Sequence, residues 1–221
     1  TLARLQDMMI FALKGLSAYR HHANELGANT KNVDDIMAQT LYFTLTNMNF
    51  NFDQHIEQLL KVGKAGVEVM DILSNAHTNK FGIPTPVKIS QNKANGKAIL
   101  VSGHNLHALK ELLEQTKDKG INIYTHSEML PAHGYPELKK YPHLKGNLGK
   151  AWFDQTDLFN KFGGAILMTT NCIVPLRKSA TYSDRLFGYD IASTKGIAHI
   201  NGNDFTPLIN KALELDDVSG F

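Results

Sequence analysis

From Gly96 onward the sequence alternates short apolar runs with stretches of helical period: "KAILVSG", "LHALKELLEQT", "INIYTH", "AWFDQTDLFNKF" and "AILMTTNC", then "GIAHI" and "DFTPLINKALEL". An apolar run of this length suits a strand buried on both faces, and a strand–helix–strand return within one sheet is right-handed. The alternation therefore predicts an α/β fold over 97–221, a Rossmann-like domain with a parallel sheet and helices on its faces. The preceding residues have a different period. Leu5, Met8, Met9, Ala12, Leu13, Leu16 and Tyr19 mark one face of a helix ending near Gly27. A second helix is expected from Asp34, read as its N-cap, through Ile36, Met37, Thr40 and Leu41 to the Asn-rich "TNMNFNFD". A third follows Asp53 through Ile56, Leu59, Leu60, Val67, Met70 and Leu73. Residues 1–82 thus read as a small helical bundle, with Leu5, Met8, Leu13 and Leu16 expected to be buried against the helix carrying Leu59 and Met70. Pro84, Pro86 and Gly96 break any period in 83–96, which reads as an extended linker.

Charge and cysteine content narrow the function. With 23 basic and 21 acidic residues the chain carries a net +2, without the basic footprint that nucleic acid or an anionic membrane surface calls for. No apolar run approaches ~20 residues, and the opening "TLARLQDMMIFALKG" spaces Arg4, Asp7 and Lys14 at helical intervals, unlike a leader peptide. A cytoplasmic location is expected. Cys172 is the single cysteine, so an internal disulfide, or a zinc or iron–sulfur site built from this chain's thiolates alone, is excluded. There is no G-x-G-x-x-G, P-loop or G-x-S-x-G; "KFGG" at 161–164 precedes a strand, whereas a phosphate loop follows one. Nicotinamide and ATP binding, and α/β-hydrolase chemistry, are disfavoured.

Open parallel sheets bind ligands beyond the carboxyl ends of their strands. Three such ends carry metal-ligand side chains: His104 after "AILVSG", Glu128 after "NIYTHS" and Cys172 after "ILMTTN". A borderline nitrogen, a hard oxygen and a soft sulfur together suit iron or another transition metal better than calcium or magnesium. Each residue also has an ordinary alternative. His104 could cap the following helix, Glu128 could be a first-turn acid, and Cys172 could be a small buried apolar group. His126 and His133 flank the glutamate without an i,i+4 metal pair, which favours supporting roles; His21 and His22 point apart on a solvated helix face. Trp152 and Phe153 are expected to pack a helix onto the sheet.

"VSGHNLHALKELLEQT", "INIYTHSEMLPAHGYPELKKYPHLKGNLGKAW" and "GGAILMTTNCIVP" closely resemble the hybrid-cluster protein family, also called prismane proteins or hydroxylamine reductases. The resemblance runs from "LQDMMIFALKGLSAY" to "DFTPLINKALEL", and the compact helical region is similar to the family's shorter form. It implies an oxidoreductase acting on small nitrogen oxides, one that reduces hydroxylamine to ammonia or that reduces nitric oxide, with electrons from a redox-protein donor. It also implies a hybrid iron–sulfur–oxygen cluster of the 4Fe-2O-2S type, for which His104, Glu128 and Cys172 match three ligand positions. The family completes that cluster with three more cysteines and another glutamate, and carries a conventional iron–sulfur cluster on an N-terminal cysteine motif. The sequence has none of these cysteines, so it is expected to be an internal segment, lacking the cysteine motif and the C-terminal domain and inactive alone. The related carbon monoxide dehydrogenases share the architecture, but a carboxylate within "SEMLPAHGYP" fits the hybrid-cluster pattern instead. The competing expectation is a cluster-free remnant that serves as a structural or binding module.

Overall fold

The computed structural model describes residues 1–45, 49–92, 94–170 and 172–218. The chain divides into two compact units, 1–80 and 81–221. Helices α1 (Leu2–Glu25), α2 (Lys31–Leu45) and α3 (Phe52–Phe81) supply the first unit. Helix α2 begins at Lys31, so Asp34 lies in its first turn instead of capping it. There it accepts a fork from Arg20, with Nε at 2.7 Å and Nη2 at 3.1 Å, which ties α1 to α2.

The apolar core of this unit joins Leu13 and Leu16 of α1 and Val33 of α2 to Val62, Ala65 and Val69 of α3. The expected seam is half right. Leu13 and Leu16 are buried, but Met8 is 53% exposed and Met70 48% exposed, while Leu5 and Leu59 are only partly covered. The buried line on α3 is His55, Gln58, Val62, Ala65, Val69 and Leu73, in which polar side chains at one end give way to the small Val62, Ala65 and Val69. Small side chains let helices approach closely, and Gln58 enters the seam by donating to Thr40 Oγ1 at 2.7 Å. Following only the apolar positions passes over a face that carries His55 and Gln58.

In the second unit, strands β1 (Lys97–Ser102), β2 (Ile121–Thr125), β3 (Leu144–Asn147), β4 (Ala165–Met168), β5 (Leu186–Tyr189) and β6 (Ala198–Ile200) form one sheet. All pairs are parallel and the order is β3-β2-β1-β4-β5-β6. The chain starts at the centre, builds outward to β3, then returns to β4 and builds the other way. Such a reversal opens a crevice between β1 and β4 at their carboxyl ends. Helices α4 (Leu106–Gln115), α5 (Pro136–Lys139), α6 (Gln155–Lys161) and α7 (Thr206–Glu214) connect or follow the strands. Leu109, Leu112 and Leu113 of α4 are fully buried. Leu158 and Phe159 of α6, with Phe162, pack on Leu100, Tyr124, Ile166 and Met168 from the sheet. Each such side chain contributes about 1.5–3 kcal/mol when taken from water.

Trp152 and Phe153 do not share this packing: they are 59% and 66% exposed. They occupy a short 3-10 turn, Trp152–Asp154, ahead of α6, and pack edge-to-face on each other with centroids 5.9 Å apart. The helical period begins three residues too late to turn them inward. The stretch before β1 is extended and runs beside the sheet: Ser90 bridges Gly146 in parallel, Asn147 N–H donates to Ser90 O at 3.2 Å, and Thr85 N–H donates to Gly134 O at 2.9 Å. Among the described residues, no helix is long and apolar enough to cross a membrane.

Candidate metal centre

At the end of β1 the chain turns through Gly103 with φ 109°, a left-handed value that favours glycine. A Cβ at this position would lie 2.5 Å from Thr169 Oγ1 and 2.7 Å from Thr170 Oγ1, so only glycine lets the loop after β4 close on this turn. His104 follows. The capping role open to it belongs to its neighbour, because Asn105 Oδ1 accepts the Ala108 N–H at 2.9 Å as N-cap of α4. After β2, Ser127 takes φ 50°, reversing the chain into a 3-10 segment in whose first turn Glu128 stands. Cys172 follows β4. Gln155, buried at the start of α6, donates to Cys172 O at 3.0 Å and accepts from Val174 N–H at 2.8 Å, so one amide holds the backbone from the cysteine's own carbonyl to two residues beyond it.

The three side chains meet. His104 Nε2 lies 2.7 Å from Glu128 Oε2, His104 Nδ1 lies 3.4 Å from Cys172 Sγ, and Cys172 Sγ lies 3.9 Å from Glu128 Oε2. One nitrogen, one oxygen and one sulfur thus fall within 4.8 Å of one another, which is the spacing of donors able to share a cation. His104 and Glu128 are exposed and Cys172 is half-buried, so Cys172 is not a packed core residue. The hydrogen bond with Cys172 raises His104 above the usual imidazole range, against an opposing effect of burial, and the charge of Glu128 adds to the rise. The same bond, helped by Thr170, lowers the Cys172 thiol. The pair therefore favours a thiolate, the form that binds metal.

His126 and His133 lie behind these residues and tie the strands to one another. His126 is fully buried, its Nδ1 is 2.8 Å from Ser102 Oγ, and its Nε2 has no hydrogen-bond partner among the described residues. His133 Nε2 is 2.8 Å from Thr125 Oγ1, which also accepts from Asn147 Nδ2 at 2.9 Å. Burial pushes both histidines down to about 4, so both rings are neutral near pH 7. His21 and His22 stay on α1, 4.0 and 3.4 Å from Glu25. An open crevice lined by Ser127, Glu128, Leu130, Asn147, Lys150 and Trp152 reaches the triad from the Glu128 side. Sequence reasoning did not single out Thr170, Gln155 or Ser102; the strand-end position of "TTNC" and of Ser102 was the available signal.

The family model described as Prismane/CO dehydrogenase family matches residues 1–219. The chain is 51% identical to a hydroxylamine reductase of Moorella thermoacetica, over 97% of this chain and 50% of that protein. It is 48% identical to hydroxylamine reductases of Methanothermobacter thermautotrophicus and Thermotoga maritima, over 99% of this chain and 51% and 50% of those proteins. The chain thus spans about half the length of the curated relatives it matches.

Proposed function

Because the chain belongs to the Prismane/CO dehydrogenase family, we propose that His104, Glu128 and Cys172 supply part of the ligand set of an iron–sulfur–oxygen cluster, in an oxidoreductase acting on hydroxylamine. One observation carries this reading: imidazole, carboxylate and thiol, delivered by three separate strand ends, converge within 4.8 Å. The donor set fits a cluster that holds both sulfur and oxygen, since the soft thiolate suits iron–sulfur bonding and the carboxylate offers a hard, exchangeable oxygen. With one cysteine, the chain offers a partial set.

His104, Glu128 and Cys172 would hold their part of such a cluster, which would supply the electron pair that, with two protons, reduces hydroxylamine to ammonia and water. The chain's own residues prepare the site. Cys172 is held toward thiolate by His104, with its backbone fixed by Gln155. Glu128 stands between the crevice and the other two ligands, where a small polar substrate would enter. His126 and His133, neutral and buried, brace the strand ends without presenting charge to the site. Electrons would come from a redox-protein donor, as the reaction requires a reductant.

A chimera tests the reading: residues 1–219 of this chain replace the matching stretch of the Moorella thermoacetica relative, and iron content and hydroxylamine reduction with a reduced low-potential dye are measured. Iron loading and turnover, both lost in His104→Ala, Glu128→Ala and Cys172→Ser, are expected. A chimera that keeps its iron and turnover after these substitutions would overturn the assignment, and turnover of nitric oxide alone would move the substrate.

A further inference from the structure

We propose that Thr170 is a positioning residue of this centre, whose hydroxyl accepts a hydrogen bond from His104 Nδ1–H and donates its own proton to the Cys172 sulfur. The proposal rests on reading His104, Glu128 and Cys172 as metal ligands. Thr170 Oγ1 lies 3.1 Å from His104 Nδ1 and 3.6 Å from Cys172 Sγ, and the sulfur lies 3.4 Å from the same Nδ1, so the one Nδ1–H is shared between the nearer hydroxyl and the sulfur. A hydroxyl has one proton and two lone pairs, so once it gives its proton to the sulfur it can only receive one from the ring. This polarity keeps the ring proton on Nδ1. Nε2, 2.7 Å from Glu128 Oε2, is then the nitrogen whose proton faces the carboxylate, the proton that a cation shared between the two would displace.

The surrounding contacts make Thr170 specific in this role. Its neighbour Thr169 is already committed, donating to Ser102 O at 2.9 Å and accepting from Asn105 N–H at 3.3 Å. Thr170 is buried, 7% exposed, so water does not readily replace its hydroxyl. Gly103 lets it come close: a Cβ there would stand 2.7 Å from Thr170 Oγ1 and 2.8 Å from its backbone nitrogen. One hydroxyl thereby couples the orientation of the imidazole to the position of the sulfur. Histidine ligands commonly have their second ring nitrogen anchored in this manner, and loss of the anchor weakens metal binding about 10–100-fold.

The experiment uses the 221-residue chain, its histidines labelled with a heavy nitrogen isotope, titrated anaerobically with Zn(II) as the probe. Binding constants and the nuclear magnetic resonance of the His104 nitrogens are recorded. In the parent chain Nε2 should take the metal and Nδ1 keep its proton. Thr170→Val has the same shape without the hydroxyl; it should lose about 10–100-fold in Zn(II) affinity, with the His104 signal divided between its two nitrogens. Thr170→Ser should restore both readouts, and Thr170→Ala repeats the comparison if the valine variant does not fold. Parent-like affinity and Nε2 ligation in the variants lacking the hydroxyl would overturn the role of Thr170 and leave the metal centre standing. A serine variant as weak as the valine one would assign the loss to packing and also overturn it. Absence of any Zn(II)-dependent change at His104 in the parent chain would overturn the metal centre and Thr170 together.

Discussion

Acid should destabilise the sheet unit well before its carboxylates titrate, because His126 and His133 hold their rings neutral inside it. They are 0% and 6% exposed, and burial pushes each from 6.5 down to about 4. In the unfolded chain each imidazole takes a proton near pH 6.5, whereas in the folded chain it does so only near pH 4. Between those values the unfolded state binds more protons, so stability falls as pH falls; the contribution is complete above about 6.5 and lost below about 4. At about 1.4 kcal/mol per pH unit, going from about pH 7 to about pH 5 removes about 2 kcal/mol for each histidine and about 4 for the pair. That is a large part of the stability of an ordinary domain. Urea unfolding at the two pH values measures it, followed by circular dichroism and by the fluorescence of Trp152, the single tryptophan, which reports on this unit alone. His133→Gln, whose amide can still donate to Thr125 Oγ1, should remove about half of the dependence. Equal stability at both pH values, or an unchanged dependence in His133→Gln, would refute the reasoning.

Anaerobic reconstitution of the chain with iron and sulfide should give little or no four-iron centre, as one thiolate cannot hold it, and Cys172→Ser should lower the bound iron further while His133→Gln changes it little; metal quantitation decides. Gly103→Ala should destabilise by about 2–4 kcal/mol in thermal melts, since the added carbon meets both threonine hydroxyls at a left-handed φ. In the helical unit, Leu13→Ala should cost about 2–4 kcal/mol, whereas Leu60→Ala, at a position 68% exposed, should stay within about 0.5 kcal/mol; the reverse order in urea unfolding would place the seam on the other face of α3.

The α/β class and the mouth of the sheet were legible because they depend on local pattern: apolar runs such as "AILV" and "AILM" bury both faces of a strand, and His104, Glu128 and Cys172 follow three of them. Strands β3 and β5 were missed because "LKGN" and "LFGY" are four residues long and contain glycine, which leaves too little pattern to read. Their register comes from neighbouring strands, a tertiary effect. The seam of α3 was misread because its buried line includes the polar His55 and Gln58 and the small Ala65, which weaken its apolar signal, while the apolar Leu60, Val67 and Met70 lie outside. The supporting residues escaped for a related reason. Thr170 and Gln155 act through hydrogen bonds to groups that chain reversal brings near, and no spacing within the sequence encodes those partners.

The bridge between Ser90 and Gly146 bears on how the chain assembles. A parallel sheet ends in rows of unpaired amides and carbonyls that can template association with another chain. Here the border at β3 is shielded by backbone that precedes the whole sheet in sequence. During synthesis this shield is made first and stays without its sheet partner until Gly146 has emerged, so the border closes only after β1, β2 and β3 have found their register. A nascent chain stalled before that point would expose two unmatched edges at once, its shield and its sheet, and this is the interval in which chaperones would be most needed.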